Sequence, residues 1–238
     1  MRAFVAGATG YTGREVVRAL AKRGADVIAH VRPDSPRLTE WRQRCEREGV
    51  QIDSSPWQLD ALEDAFAYQI PTHIFSLLGT TRARGRAAAE AGREESYESV
   101  DYALTAMLMN AARTCAPAAH FIYLSSLGVG GSARGSYLDV RRRIEAELKE
   151  SGLRYVIARP AFVSGTDREE FRFGERAGAR ITNVLVTIAA AVGLKAMRNR
   201  FATISGKQLA RALVNAAFDE QYLDRTIEVA GLHALASQ

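Results

Sequence analysis

The run Gly7-Ala8-Thr9-Gly10-Tyr11-Thr12-Gly13 constrains this chain more than any other stretch of it. A short apolar segment, Ala3-Phe4-Val5-Ala6, precedes it. Arg14-Glu15-Val16-Val17-Arg18-Ala19-Leu20 follows with the spacing of an amphipathic helix. Glycine triplets also occur in ordinary turns, but one set between a strand and a helix has a narrower meaning. Without Cβ atoms the chain turns tightly, the helix packs close on the strand, and backbone N–H groups can approach a pyrophosphate. The positive end of the helix then faces the phosphates. A dinucleotide site is therefore expected at Gly7, Gly10 and Gly13, with Thr9, Tyr11 and Thr12 between them.

Beyond Leu20, strand-like and helix-like segments alternate. Strands are expected over 25–31, 50–52, 72–78, 120–125 and 153–158, and helices over 38–48, 59–68, 94–115 and 137–150. Such alternation implies right-handed crossovers on a parallel sheet. The fold class read here is α/β: a Rossmann-type doubly wound parallel sheet with a small C-terminal substrate-facing lobe. No repeat or linker divides the 238 residues, a length that suits one large domain. Residues 1–160 would form the dinucleotide-binding core and 161–238 the lobe. In the lobe, Ile181 to Leu194 reads as a helix over the pocket or against a partner subunit, with core packing as its plainer role. Ile204-Ser205-Gly206-Lys207 starts a capped helix to Phe218, and Thr226 to Ala230 reads as a last edge strand.

The net charge of +5 fits an anionic cofactor. The arginines are scattered without interleaved aromatics, so nucleic acid is not an expected partner. The longest apolar stretch, the 14 residues from 181 to 194, is shorter than the roughly 20 that span a bilayer. Cys45 and Cys115 have neither metal nor pairing spacing and read as structural thiols in a reducing compartment. The chain runs straight into its first strand, which leaves no room for a signal peptide, and a cytoplasmic location is expected. His30, His73, His120 and His233 show no ligand spacing, and no metal site is expected.

The end of the second strand reports on the cofactor. An NAD site places an acidic residue there to bind the adenosine ribose hydroxyls. Here the chain reads Ala29-His30-Val31-Arg32-Pro33, with no carboxylate before Asp34. Arg32 offers a planar cationic fork suited to a 2′-phosphate, and Arg37 and Arg14 would add to the field, so NADP(H) is expected over NAD(H). The plainer role for Arg32 is a solvated loop residue. Asp60 fits either an adenine-edge contact or a cap on the helix that follows.

A catalytic constellation is readable after the fifth strand, which ends Tyr123-Leu124-Ser125-Ser126; Tyr137 follows 11 residues after Ser126. Hydride transfer to a carbonyl leaves an alkoxide that must be protonated. A phenol can do this if a nearby cation lowers its pKa from about 10, while a serine hydroxyl orients the carbonyl oxygen. The cation is commonly a lysine one helical turn after the tyrosine. In Tyr137-Leu138-Asp139-Val140-Arg141 an arginine stands there, on the face that reaches the tyrosine and a nicotinamide ribose. The competing reading is a surface tyrosine beside a solvated basic face of Arg141, Arg142 and Arg143.

With these residues in view, the chain resembles the atypical short-chain dehydrogenases/reductases, in particular the HIV Tat-interacting-protein-like oxidoreductases. The resemblance covers roughly residues 3–218. It rests on the GxxGxxG spacing, on Ser76-Leu77-Leu78-Gly79-Thr80-Thr81-Arg82 and on Val100-Asp101-Tyr102. Leu124-Ser125-Ser126, Tyr137 to Arg141 and Arg159-Pro160-Ala161 extend it. It implies a Rossmann sheet, NADP(H) and a Ser–Tyr–Lys-type centre, carried over to Gly7, Gly10, Gly13, Arg32, Leu78, Gly79, Ser126 and Tyr137. The lysine does not carry over, because Arg141 occupies its place. Related NmrA-like proteins bind the dinucleotide and act as redox sensors without turnover.

Two functions follow as expectations. The first is an NADP(H)-dependent reductase of a small carbonyl or quinone-like molecule, with Tyr137 as general acid, Ser126 as carbonyl donor and Arg141 as cation. The second is a non-catalytic NADP(H)-sensing regulator or assembly factor. The helices from Glu94 and Tyr137 offer surfaces for a homodimer. Arg82-Ala83-Arg84-Gly85-Arg86 reads as a mobile solvated loop near the nicotinamide, and Lys195, Arg198 and Arg200 as an exposed basic face.

Overall fold

The computed structural model describes residues 1–131, 135–164 and 202–238. The segments expected at 181–194 and the basic residues at 195, 198 and 200 lie outside these. The first half of the chain runs β1 (Arg2–Ala6), α1 (Tyr11–Lys22), β2 (Asp26–His30), α2 (Leu38–Arg47), β3 (Gln51–Asp53), α3 (Leu59–Gln69), β4 (His73–Ser76) and α4 (Arg82–Glu90). A π-helical turn, Tyr97–Tyr102, leads into α5 (Ala103–Cys115). Then come β5 (His120–Leu124), α6 (Ser136–Glu150), β6 (Arg154–Arg159), β7 (Val163–Ser164) and β8 (Ile204–Ser205). The chain closes with α7 (Gly206–Phe218), β9 (Arg225–Glu228) and α8 (Val229–Ala236).

Seven parallel strands form one sheet in the order β3-β2-β1-β4-β5-β6-β9, and β7 pairs with β8 in a separate two-stranded sheet. The first six strands have the doubly wound Rossmann order, whose direction reverses between β1 and β4. Ligands of such sheets bind outside the carboxyl ends of the strands at that reversal.

The sequence builds two cores from one sheet, because side chains alternate across a strand with period two. In β1, Ala3 and Val5 face one layer and Phe4 and Ala6 the other. Phe75 in β4 and Ile122 in β5 join Val16 and Leu20 of α1 and Leu209 and Leu213 of α7. Ile74 and Phe121 join Leu62 and Phe66 of α3, Leu108 of α5 and Ile144 of α6. Both faces are covered by helices, which is why successive residues such as Phe4 and Val5, Ile74 and Phe75, and Phe121 and Ile122 are apolar on both faces rather than alternating with polar ones.

Three expectations need correction. Residues 82–86 are not a loop: they open α4, whose N-cap Thr81 accepts a hydrogen bond from the Arg84 N–H at 3.2 Å. Gly85 lets this helix press on the backbone, since a Cβ there would lie 2.7 Å from the Glu95 carbonyl oxygen. The helix expected over 94–115 begins instead as the π-helical turn, capped reciprocally by Ser96 and Ser99, and becomes α-helical only at Ala103. The last strand ends at Glu228, and Val229 and Ala230 belong to α8, whose Val229, Leu232 and Leu235 are buried.

α3 ends on Ile70, a β-branched residue held at φ 49° and 65% exposed. Left-handed backbone costs a residue with a Cβ about 1–2 kcal/mol, part of which glycine returns through unfolded-state entropy. Ile70→Gly is expected to raise the unfolding free energy by about 0.5–1 kcal/mol in urea titration. The opposite holds at Gly13, where a Cβ would meet the Gly7 carbonyl oxygen at 2.0 Å. Gly13→Ala is expected to lower stability by about 1–3 kcal/mol, read in the same titration.

Candidate functional site

The carboxyl end of β1 leads straight into the glycine turn. Gly7 has φ +82°, and a Cβ on it would lie 2.6 Å from the Leu77 carbonyl oxygen at the end of β4. The turn is closed by Gly10 N–H donating to the Gly7 carbonyl at 3.0 Å, and Arg14 N–H donates to Gly10 at 3.0 Å. Gly10 is the N-cap of α1, and no side chain caps the helix. The first-turn N–H groups of Tyr11, Thr12 and Gly13 thus present a positive helix end at the sheet reversal, as a pyrophosphate site needs. Thr9 is exposed beside them. Tyr11 sends its side chain away from the turn: its hydroxyl donates to the Ser164 carbonyl at 3.0 Å, and its ring lies against Gly206.

On the adenosine side, Arg32 follows β2 and is half exposed, with Nε 3.7 Å from Asp34. Arg37 is turned onto Glu40, both guanidinium contacts at 2.7 Å, so its charge is compensated. Arg14 lies with its guanidinium 5.8 Å from the Tyr11 ring centroid. Asp60 sits in the first turn of α3 and accepts a hydrogen bond from the Ala61 N–H at 2.8 Å.

On the other side of the reversal, β4 is followed by Leu77, Leu78 and Gly79. Leu78 packs on the α3–α5 core, and Gly79 is exposed. A Cβ on Gly79 would lie 3.1 Å from Arg141 Nη2 and 3.3 Å from Asp101 Oδ1. Arg141 is therefore not part of a solvated basic face. It is 6% exposed and bonds Asp101 at 2.8 Å, the Tyr123 hydroxyl at 3.2 Å and the Leu124 carbonyl. Its Nε has no hydrogen-bond partner. Its guanidinium lies 4.9 Å from the Tyr137 ring centroid. Burial works against the charge, but Tyr123, Tyr137 and Asp101 together outweigh it and hold Arg141 protonated. Burial likewise pushes the Asp101 carboxyl above its usual range, against the pull of Arg141.

The serine pair divides its work. Ser125 is buried and donates to Glu145 at 2.5 Å, and Glu145 is held by Arg159 through Nε at 3.0 Å and Nη2 at 2.5 Å. Ser126 is half-buried and contacts only the neighbouring Leu127 carbonyl, at 3.3 Å, among the described hydrogen bonds. Ser125 thus anchors the segment that carries Ser126. Tyr137 is half-buried, its ring centroid 5.1 Å from that of Tyr97.

The structure gathers Gly7, Gly10, Gly13, Leu78 and Gly79 around the reversal, and it clusters Tyr137, Arg141 and the Gly79 backbone. Asp101 and Glu145 escaped assignment from sequence. Asp101 lies in the π-helical turn and Glu145 on α6, and only burial against an arginine from another element marks each of them. The glycine cradle, and a buried Arg141 whose Nη2 lies against Gly79 and whose Nε has no partner, fit a nicotinamide dinucleotide. Gly7, Gly10 and Gly13 would hold its pyrophosphate. Among the described residues no group of His, Cys, Asp or Glu is arranged to hold a metal ion, and no helix is long and apolar enough to cross a membrane.

Comparison with known proteins agrees with this geometry. An NAD(P)H-binding family model matches residues 7–199. The chloroplastic protein TIC 62 of Oryza sativa subsp. japonica is 32% identical over 186 residues, 72% of this chain. The chain spans only 36% of that relative's length. The fold is shared with the UDP-Glc/GlcNAc 4-epimerase of Campylobacter jejuni at 11% identity, with a TM-score of 0.69 over 98% of this chain and 82% of that one. It is shared too with an NADPH-dependent quinone oxidoreductase of Escherichia coli complexed with NADPH, at 18% identity and a TM-score of 0.62 over 96% and 68% of the two chains. A Rossmann sheet reversing at an uncapped glycine turn, matched over most of its length, places this chain in the NAD(P)H-binding family of atypical short-chain dehydrogenases/reductases.

Proposed function

We propose that this protein is an NADP(H)-binding oxidoreductase that reduces a small carbonyl or quinone-like molecule. The observation that carries the reading is the half-buried Tyr137 set 4.9 Å from a buried guanidinium, at the end of the strands that also carry the glycine cradle. Gly7, Gly10 and Gly13 would hold the dinucleotide, which when bound would supply a hydride. Tyr137 donates its phenolic proton to the substrate oxygen that takes up charge, and Arg141 is the fixed cation beside its ring. Ser126 orients the carbonyl oxygen through its hydroxyl. Arg32, loosely paired and half exposed, binds a 2′-phosphate, which sets NADP(H) over NAD(H). Asp60 and Leu78 line the adenine and nicotinamide ends of the cleft.

A second reading, a dinucleotide sensor without turnover, draws support from one feature. Both Nη atoms of Arg141 are engaged by Asp101, Tyr123 and the Leu124 carbonyl, whereas a catalytic lysine would present its ammonium to the ribose.

Titration with NADPH and NADH, followed by fluorescence, tests the cofactor part. NADPH is expected to bind at least about tenfold tighter, and Arg32→Ala to remove most of that difference, since a charge-assisted contact contributes roughly 1.5–3 kcal/mol. Equal affinities in the unmodified protein refute the role of Arg32. With a carbonyl or quinone substrate identified by screening, Tyr137→Phe is expected to lower kcat about 10²–10⁴-fold with little change in NADPH affinity. Turnover that survives Tyr137→Phe refutes the acid role. NADPH binding with no turnover across the screen establishes the sensor instead.

A further inference from the structure

We infer that Asp101 sets how strongly the site discriminates oxidised from reduced dinucleotide, an inference that rests on the nicotinamide reading above. Three observations converge on it. The π-helical turn Tyr97–Tyr102 places Asp101 in the protein interior, 1% exposed, at a point where a regular helix would have carried its side chain elsewhere. π-Turns are rare and concentrate at functional positions. Its two carboxylate oxygens are divided between two elements of the cleft wall: Oδ1 accepts from Arg141 Nη2 at 2.8 Å, and Oδ2 accepts from the Thr80 N–H at 2.9 Å. The pair lies directly against the exposed Gly79: a Cβ there would fall 3.1 Å from Arg141 Nη2 and 3.3 Å from Asp101 Oδ1.

The charges of such a pair act on whatever lies over Gly79, because a buried charge is poorly screened. The nicotinamide ring is cationic when oxidised and neutral when reduced, while the rest of the dinucleotide is the same in both forms. A fixed cation beneath the ring therefore weakens only the oxidised form. Asp101 cancels the Arg141 charge at this spot, so the two forms meet a nearly neutral wall. Among the described residues, the other charged group acting on Asp101 is Glu95, which is held by the Thr80 hydroxyl and lies 3.5 Å from Arg84. Asp101 is thus a positioning residue for Arg141 and the Gly79–Thr80 backbone, and a specificity residue for redox state.

The test is the ratio of dissociation constants for NADP⁺ and NADPH. NADPH is followed by its own fluorescence, and NADP⁺ by displacement of NADPH. Asp101→Asn keeps an oxygen to accept from Thr80 or Arg141 and removes the compensating charge. It is expected to raise the NADP⁺/NADPH ratio at least about fivefold, equivalent to roughly 20 mV in the potential of the bound couple. Adding Arg141→Gln to that variant neutralises the site and is expected to return the ratio to within about twofold of its starting value. If Asp101→Asn alone does not fold, Arg141→Gln alone serves, read at pH 8, with the ratio falling by a similar factor. A purely structural role predicts that both affinities fall together, and an unmoved ratio in a folded variant overturns the inference while leaving dinucleotide binding intact. Failure of the unmodified protein to bind either form overturns the nucleotide reading and this inference with it.

Discussion

The close approach of β1, the glycine turn and α1 is the constraint on which the rest of the molecule depends. Gly7 abuts the Leu77 carbonyl at the end of β4, and Gly13 sits directly over the Gly7 carbonyl. These two contacts fix the height of α1 above the sheet. That height lets Val16 and Leu20 meet Leu209 and Leu213 of α7, so one core layer is keyed to a turn of seven residues. The same contacts leave no room for side chains at the sheet reversal, which keeps backbone N–H groups as the lining there. Packing and anion binding thus impose one requirement on the same glycines.

Across the reversal the organising interaction is electrostatic. Arg141 joins α6 to the end of β5 through Tyr123 and Leu124, and to the π-helical turn through Asp101, which also holds Thr80 after β4. A second pair, the buried Glu145 with the partly buried Arg159, lies one helical turn further along α6 and fixes Ser125. Pairs of this kind contribute little net stability, because desolvation offsets most of the attraction, yet losing one partner costs about 3–5 kcal/mol. Their effect is to fix geometry. α6 carries Tyr137, Arg141 and Glu145 at intervals of four, so one helix face sets the ring, the cation and the serine loop together.

What could be read from the sequence was what local chemistry decides. The glycine turn was legible because its spacing between a strand and a helix leaves few conformations, and the central strands because apolar runs of four to six residues admit little else. The basic segment at 82–86 misled, since its helix depends on Thr81 as a cap and on Gly85 meeting the Glu95 carbonyl, a contact made in space. Asp101 was visible as part of a family motif, but a period of 3.6 does not describe a π-turn, so its burial could not be deduced. Arg141 stood at the expected position with its partners hidden, because they come from two other elements, the π-helical turn and β5.

The replacement of lysine by arginine gains its sense from those partners. An ammonium is a compact charge on a flexible stem, and its donors serve whichever acceptor the bound ligand brings. A guanidinium is rigid, and its donors point in fixed directions. In this site two nitrogens are committed to Asp101, the Tyr123 hydroxyl and the Leu124 carbonyl, and the third, Nε, is buried without a partner. A buried N–H left unpaired costs about 1–3 kcal/mol, which a polar ligand atom reaching it would recover. The arginine therefore behaves as part of the wall rather than as a mobile reagent. Its position beside the Tyr137 ring is set when the protein folds, through the same contacts that hold it to Asp101, Tyr123 and Leu124.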